Sequence, residues 1–209
     1  MKYRIKEIFF TQQGEGKNTG KDFIFVRFSG CNLWSGKEKN RASAICSFCD
    51  TDFYGTDGIN GGKYEAKKLI EKIKSLWISA GSQIRVVLTG GEPLLQVDKV
   101  LIDALKKENI YIAVETNGTL EAPDGIDWIC MSPKANTRIK LTKGSEVKVV
   151  YPQADLNPDN FKSLNFKNFY IQPMDSLDYE KNVSQSVKYC MQNPNWKLSL
   201  QTHKILGIR

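Results

Sequence analysis

Short apolar segments, most of them closed by glycine, proline or asparagine, recur along the chain. The segments FIFVRFS (23–29), IRVVLTG (84–90) and IYIAVE (110–115) are rich in β-branched and aromatic residues, and polar turn residues follow each of them. Such runs are typical of strands buried in a sheet. We predict four further strands, in DWICMSP (127–133), EVKVVYP (146–152), NFYIQPM (168–174) and WKLSLQT (196–202).

Amphipathic segments alternate with these runs. YEAKKLIEKIKSLWIS (64–79) places leucine and isoleucine at helical spacing with lysines between them, which predicts a helix with one apolar face. We predict two more helices, in VDKVLIDALKKEN (97–109) and near Tyr179–Gln192. Alternating strands and helices indicate parallel strands joined by crossovers. Because a full eight-stranded barrel typically needs about 250 residues, we predict an α/β fold with an incomplete or small (β/α) barrel of about six parallel strands.

Length and composition are those of an ordinary globular protein. The chain has 209 residues, of which 41% are hydrophobic and 25% charged, and we expect a single domain over residues 1–209. No apolar run approaches the roughly 18 residues that span a bilayer, so we expect a cytoplasmic protein with no membrane partner. The formal charge of +7 would attract anionic ligands. Without an arginine-rich tail or an RNA-binding signature, we expect no direct binding to nucleic acid.

Most of the unusual motifs directly follow a predicted strand. Cys31 follows the first strand, and TGGEP, ETNG, SPK, QPMD and THK each follow a later one. In a parallel sheet or barrel, these carboxyl ends lie on one face, where active sites form. The sequence therefore predicts one pocket built from these turns.

Three of the five cysteines fall in one segment, as Cys31, Cys46 and Cys49. An odd number of cysteines without a secretion signal favours reduced thiols with a metal or redox role. A structural zinc site needs four ligands, and another cysteine or the single histidine could supply the fourth. A cubane cluster normally uses four cysteines, so three would leave one iron open to a substrate or cofactor. The cysteine spacing by itself allows both sites.

The segment Cys46-Ser47-Phe48-Cys49, together with Gly90-Gly91-Glu92-Pro93 after the next strand, resembles the radical S-adenosylmethionine (SAM) enzymes. In that family the open iron is chelated by the amino and carboxylate groups of the methionine portion, and the cluster donates an electron that splits the sulfonium. The usual first spacing is three residues, whereas fourteen separate the first two cysteines here. Since the cost of loop closure grows slowly with length, we expect an inserted cluster-binding loop at about 31–49.

Further motifs extend the resemblance over nearly the whole chain. TQQGEG (11–16), Arg27-Phe28, Asp50-Thr51, TGGEPLLQ, ETNGT, SPK, QPMD and the final QTHKILGIR occur in the order typical of the 7-carboxy-7-deazaguanine synthase family, one branch of which has the fourteen-residue spacing. The resemblance implies a lyase that contracts 6-carboxy-5,6,7,8-tetrahydropterin to 7-carboxy-7-deazaguanine with loss of ammonia, on the route to queuosine and other 7-deazapurines. It also implies a [4Fe-4S] cluster, SAM and Mg²⁺ as cofactors, an electron donor such as flavodoxin, and a homodimer.

Two alternatives stay open at this point. An activase that makes a glycyl radical on a partner protein also has short chains with turns like GGEP and ETNG, but it would not need TQQGEG or QTHK. A non-catalytic zinc-binding module that binds nucleic acid would fit the basic charge and the cysteines.

The resemblance also implies candidate site residues. The cluster ligands are Cys31, Cys46 and Cys49, and the magnesium ligand is Thr51. The positions that match cofactor contacts are Phe48, Cys49, Asp50, Gly91, Ser132, Pro133, Lys134, Gln172, Pro173, Met174 and Asp175. The positions that match substrate contacts are Gln12, Gln13, Gly14, Glu15, Arg27, Thr89 and His203. Amide and carboxylate groups suit the edges of a pterin, and an arginine suits its carboxylate. The roles of ETNG, His203, Lys204 and the terminal carboxylate of Arg209 are left open.

Overall fold

Nine strands form one sheet in the computed structural model, which describes residues 2–209. The strands are β1 (Tyr3–Gln12), β2 (Asp22–Phe28), β3 (Gly62–Tyr64), β4 (Arg85–Gly90), β5 (Tyr111–Thr116), β6 (Trp128–Met131), β7 (Lys143–Tyr151), β8 (Asn165–Pro173) and β9 (Lys197–Leu198). The α-helices are α1 (Ala66–Leu76), α2 (Lys99–Lys107), α3 (Tyr179–Gln192) and α4 (Thr202–Leu206). Short 3₁₀ helices lie at Gly16–Asn18, Glu38–Ser43, Pro93–Leu95 and Pro158–Phe161.

The sheet is parallel over most of its width. Its order is β3-β1-β2-β4-β5-β6-β7-β8-β9, and neighbouring strands from β2 to β9 are parallel. The first strand pairs antiparallel with β2 and β3, which extends the sheet on one side. Within residues 2–209 the two edge strands do not pair with each other, so the sheet is an unclosed, barrel-like α/β structure. The predicted fold class is confirmed, with seven strands in the parallel part.

The predicted helices are confirmed, but the expected alternation of strands with helices is wrong for part of the chain. Within the described residues, the connections from β5 to β6, β6 to β7 and β7 to β8 contain no α-helix. The first and third of these connections are rich in Gly, Pro, Asn and Asp, which favour turns over helices, and the second contains Pro133 and Asn136. The strand at 3–12 and the short helix at 202–206 were not predicted. Among residues 2–209, no helix is both long enough and apolar enough to cross a membrane.

Alternate side chains of the parallel strands point either into the hydrophobic core or toward the opposite face of the sheet. One face of the first half of the sheet packs on α1 and α2, through side chains such as Val26, Leu88 and Val114. A second core cluster, which includes Val147, Val149 and Trp196, lies beside α3. Because successive side chains of a strand point to opposite faces, the neighbours of these core residues face the other side. Those that line a cavity there include Arg27, Thr89, Glu115, Lys148 and Gln172.

Candidate active site

A cavity of about 330 Å³ lies at the carboxyl ends of the parallel strands. Its wall contains residues from the turns after β2, β4, β5, β6 and β8, so the predicted convergence of these turns is observed. All candidate site residues except Pro133 line this cavity. Pro133 is buried, and its carbonyl oxygen accepts a hydrogen bond from Nε2 of Gln153 at 3.4 Å.

The three clustered cysteines share one wall of the cavity, and all five cysteines of the chain are free thiols. The interaction between the two side chains lowers the pKa of Cys49 to about 6 and raises the pKa of Cys46. The nearby Lys134 favours the thiolate form of both. The backbone N–H of Leu33 donates to Sγ of Cys31 at 3.4 Å. Since the thiolate is the form that binds metal, this wall suits a soft metal group.

The fourteen-residue insert is held in place by Arg41. Its Nη1 donates to the carbonyl oxygens of Ser47 and Cys49, at 2.9 Å each. Its guanidinium lies 4.1 Å from the ring centroid of Trp34, within the range of a cation–π contact. These contacts fix the backbone from Ser47 to Cys49, beside the cavity that Cys31 also lines. Sequence reasoning did not identify Arg41, because nothing in the local pattern indicates its partners.

The GGEP turn packs against the loop that starts at Cys31. The N–H of Glu92 donates to the carbonyl oxygen of Gly30 at 2.9 Å. A Cβ on Gly91 would lie 2.1 Å from that same oxygen, so only glycine allows this close approach. The buried carboxylate of Glu92 accepts from Oγ1 of Thr116 and from the N–H of Asn117, at 2.8 Å each. The ETNG turn therefore has a structural role, which is to anchor the turn after β4 to the turn after β5.

The donor set on this wall fits a cluster with one open iron. Cys130 is buried in β6 away from the cavity wall, and Cys190 packs beside the second core cluster on α3. Three cysteines are thus available at the cavity, where a structural zinc site needs four ligands. Within residues 2–209, no three His, Cys, Asp or Glu side chains are arranged to hold a single metal ion.

A network of amides and charged groups forms another part of the wall. Nε2 of Gln13 donates to Oε1 of Glu115 at 3.0 Å, and Nε2 of Gln201 donates to Oε1 of Glu15 at 2.9 Å. Lys148 forms ion pairs with both carboxylates. Gln13 and Glu15 of this network were predicted from the sequence, whereas Lys148 and Gln201 were not. A lysine inside the apolar run EVKVVY was the one available signal.

The C-terminal helix connects several turns around the cavity. Nζ of Lys204 lies 2.5 Å from carboxylate oxygens of both Asp50, which follows the last clustered cysteine, and Asp175, which follows β8. His203 also lines the cavity and packs so closely on Gly14 that a Cβ there would lie 2.2 Å from Nδ1. His203 and Lys204, whose roles the sequence left open, thus both line the cavity.

The final residue contacts β1, the strand that pairs with the one carrying Arg27. Nε of Arg27 donates to Oε1 of Glu7 at 2.8 Å, and Nη1 of Arg209 donates to Oε2 of the same carboxylate at 3.2 Å. A main-chain oxygen of Arg209 accepts from Oγ1 of Thr11 at 2.6 Å. The two arginines therefore share one carboxylate at the cavity wall, and the chain terminus is fixed beside them.

Comparisons with known proteins agree with this geometry. The sequence profile of the Radical SAM superfamily matches residues 40–141, which include two of the clustered cysteines and the GGEP turn. The chain is 53% identical to 7-carboxy-7-deazaguanine synthase from Bradyrhizobium diazoefficiens and 53% identical to that from Caulobacter vibrioides, and each match covers 100% of both chains. It is also similar to the crystal structure of QueE from Escherichia coli, with a TM-score of 0.72 and 25% identity over 96% of this chain and 94% of that chain.

Proposed function

The chain belongs to the 7-carboxy-7-deazaguanine synthase family of radical SAM enzymes, and from this premise we propose how its residues serve that activity. It is a radical SAM enzyme that converts 6-carboxy-5,6,7,8-tetrahydropterin to 7-carboxy-7-deazaguanine, with loss of ammonia, in the queuosine pathway. One observation carries this conclusion. A single cavity has three free cysteines beside the GGEP turn on one wall and an amide–carboxylate network on another.

The cofactors of the family are a [4Fe-4S] cluster and SAM, which when bound supply the radical chemistry that starts the reaction. We propose that Cys31, Cys46 and Cys49 hold the cluster. The residues proposed to contact SAM are Phe48, Cys49, Asp50, Gly91, Ser132, Lys134, Gln172, Pro173, Met174 and Asp175. Their support is that they line the same cavity as the three cysteines. Pro133 lies in the same turn as Ser132 and Lys134, and we propose that it too contacts SAM, although its side chain is buried beside the cavity wall.

For the substrate, we propose that Gln12, Gln13, Gly14, Glu15, Thr89 and His203 surround the pterin ring. Amide and carboxylate side chains match the donors and acceptors along the edges of that ring. Arg27 is proposed to bind the substrate carboxylate, since a guanidinium offers paired N–H donors. Its current partner Glu7 would then give up one hydrogen bond to the substrate.

Magnesium is proposed to bind the hydroxyl of Thr51 and oxygens of the substrate. Mg²⁺ prefers oxygen ligands and is usually held by few protein groups together with the substrate, and Thr51 lines the cavity next to two aspartates. We also propose that residues 1–209 form one domain, that the enzyme is a cytoplasmic homodimer, and that an electron donor such as flavodoxin reduces it. The contribution of both chain ends to one site supports the single domain.

The test of this function is an anaerobic assay. The protein is reconstituted with iron and sulfide, then given reductant, Mg²⁺, SAM and 6-carboxy-5,6,7,8-tetrahydropterin, and 7-carboxy-7-deazaguanine is measured. Formation of the product is expected to require every component. Release of 5′-deoxyadenosine without this product would contradict the substrate, and a radical formed on a glycine of a partner protein would favour an activase.

Cys46→Ala serves as the variant that tests the cluster ligands. Removing one thiolate from a three-cysteine site is expected to abolish turnover and to lower the iron and sulfide bound per chain. Cys190→Ala is the matched control, because Cys190 lies on α3 away from the cavity. Full activity of Cys46→Ala with an intact cluster would contradict the ligand assignment.

A further inference from the structure

Lys148 is a buried cation that the proposed ligand contacts do not use. Its side chain is 4% exposed, and it lies within β7 between Val147 and Val149, which both belong to the second core cluster. Because side chains alternate along a strand, Lys148 points the other way, and it lines the cavity. A buried ammonium group is costly unless it is paired. The partners of Lys148 therefore indicate what it does.

Two carboxylates on the same cavity wall pair with Lys148. Glu15, in the turn after β1, pairs with Nζ through Oε2, and Glu115, near the end of β5, lies 3.6 Å from Nζ through Oε1. Each carboxylate is also held by an amide, Glu15 by Gln201 at 2.9 Å and Glu115 by Gln13 at 3.0 Å. Lys148 thus allows two negative charges that would otherwise repel each other to lie close together.

The charges around this group favour the ionised forms. Burial lowers the pKa of Lys148, but Glu115 and Glu15 raise it well above its ordinary value, so the amine is protonated at neutral pH. Burial would raise the pKa of Glu15, yet the ion pair with Lys148 leaves that pKa lowered. The other titratable groups facing this cluster, from β6, β7 and α4, are Cys130, Glu146 and His203.

We infer that Lys148 is a positioning residue that holds Glu15 and Glu115 as neighbouring hydrogen-bond acceptors for the N–H groups of the substrate's pyrimidine ring, an inference that rests on the proposed function. A 2-amino-4-oxopyrimidine carries adjacent N–H donors on a ring nitrogen and on the exocyclic amine. A carboxylate can accept both, in two parallel hydrogen bonds. Lys148 acts through the carboxylates: it keeps Glu15 charged and fixes the orientation of both carboxylates before the substrate arrives.

The test uses three variants of the reconstituted enzyme. Lys148→Met removes the charge but keeps a long side chain, Lys148→Arg keeps the charge, and Lys143→Met, at the exposed start of the same strand, is the control. We measure kcat and KM for 6-carboxy-5,6,7,8-tetrahydropterin, its binding by calorimetry, the affinity for SAM and the iron content. Lys148→Met is expected to raise the pterin KM about tenfold or more, with a smaller change in kcat and with SAM affinity and iron content unchanged.

The pH profile separates positioning from a purely structural role. In the native enzyme, pterin affinity is expected to be flat between about pH 6 and pH 8, because the ion pair with Lys148 keeps the pKa of Glu15 lowered. Without the ammonium group, neighbouring carboxylates raise the pKa of one of them, so the affinity of Lys148→Met is expected to fall as the pH is lowered. Lys148→Arg is expected to recover the flat profile.

A Lys148→Met enzyme with the native KM and a flat pH profile would overturn the inference. A native enzyme that forms no 7-carboxy-7-deazaguanine would overturn the proposed function instead, so the two failures are distinct. If Lys148→Met does not fold, the double variant Lys148→Met with Glu115→Gln removes one charge of each sign from the cavity wall and is compared with Glu115→Gln alone. The inference requires a higher pterin KM in the double variant, because Glu15 loses its ion pair, and equal KM values would overturn it.

Discussion

Glu92 is a fully buried carboxylate that joins two turns of the cavity wall. Its Oε1 accepts hydrogen bonds from the N–H of Leu94 at 3.0 Å and from Oγ1 of Thr116 at 2.8 Å, and its Oε2 accepts from the N–H of Asn117 at 2.8 Å. Replacing this side chain therefore changes the hydrogen bonding of three donors at once. Because Glu92 does not line the cavity, its loss tests how the wall is built and not ligand binding itself.

The magnitude follows from the donors that lose a partner. A buried donor left without an acceptor costs about 1–3 kcal/mol, so Glu92→Ala is expected to lose at least about 3 kcal/mol of the free energy of unfolding. A folded domain has about 5–15 kcal/mol in total, which makes the alanine variant marginal. Glu92→Gln keeps one oxygen but places an amide N–H₂ opposite a donor, so we expect the free energy of unfolding to fall by about 2 kcal/mol.

Urea unfolding of the reconstituted protein under anaerobic conditions measures this loss, together with the iron bound per chain. Glu121→Gln is the control, because Glu121 is an exposed carboxylate in the connection after β5. Glu92→Gln is expected to lower the urea midpoint without changing the slope, and to bind the cluster less tightly. A midpoint equal to that of the native protein and of Glu121→Gln would refute the reasoning.

The raised pKa of Glu92 also predicts how the stability of the protein depends on pH. Burial raises the pKa of Glu92, although its hydrogen bonds oppose that shift. The folded chain therefore binds this proton more tightly than the unfolded chain does, and stability falls as the pH rises from the ordinary glutamate range to the raised pKa. Glu92→Gln does not titrate, so its stability deficit relative to the native protein should narrow over that range. A deficit that widens with rising pH would contradict the direction of this shift.

Two further predictions concern the metal sites. Thr51→Ala is expected to require a higher Mg²⁺ concentration for half-maximal turnover, because it removes a proposed oxygen ligand. Thr51→Ser keeps the hydroxyl and should behave like the native enzyme. Identical Mg²⁺ titrations for the alanine and serine variants would exclude the ligand role. Arg41→Ala is expected to release iron to a chelator faster than the exposed control Lys39→Ala, because it loses the hydrogen bonds to the carbonyl oxygens of Ser47 and Cys49. Equal release rates would show that these hydrogen bonds are dispensable.

The sequence predicted the fold class and the location of the site because both depend on local patterns. The runs that became β4, β5 and β8 are recognisable by their apolar and β-branched residues, and their ends are marked by Gly-Gly, Asn-Gly and Pro. Once these strands are parallel, their carboxyl ends must share one edge. The three cysteines and the GGEP turn were therefore expected at one cavity before any contact was known.

The missing helices between β5 and β8 show where local patterns stop being sufficient. Parallel strands usually need a long connection, and a helix is the common solution. Here the connections are loops of turn-forming residues such as those after Thr116 and Met131. The rule that strands alternate with helices describes most α/β proteins, but the Gly, Pro and Asn content of each connection decides the individual case.

The sequence by itself determined the strands, the edge of the sheet at which the turns meet, the three-cysteine motif and the family. Each of these can be recognised from neighbouring residues or from short motifs. Only the tertiary structure decided which charges meet in the cavity. Lys148 and Glu15 are 133 positions apart, and Gln201 reaches Glu15 over 186 positions. Such contacts leave no periodic signal in the chain, since they depend on how strands far apart in sequence are aligned in one sheet. The same alignment turns a lysine in an apolar strand into a buried partner of two carboxylates.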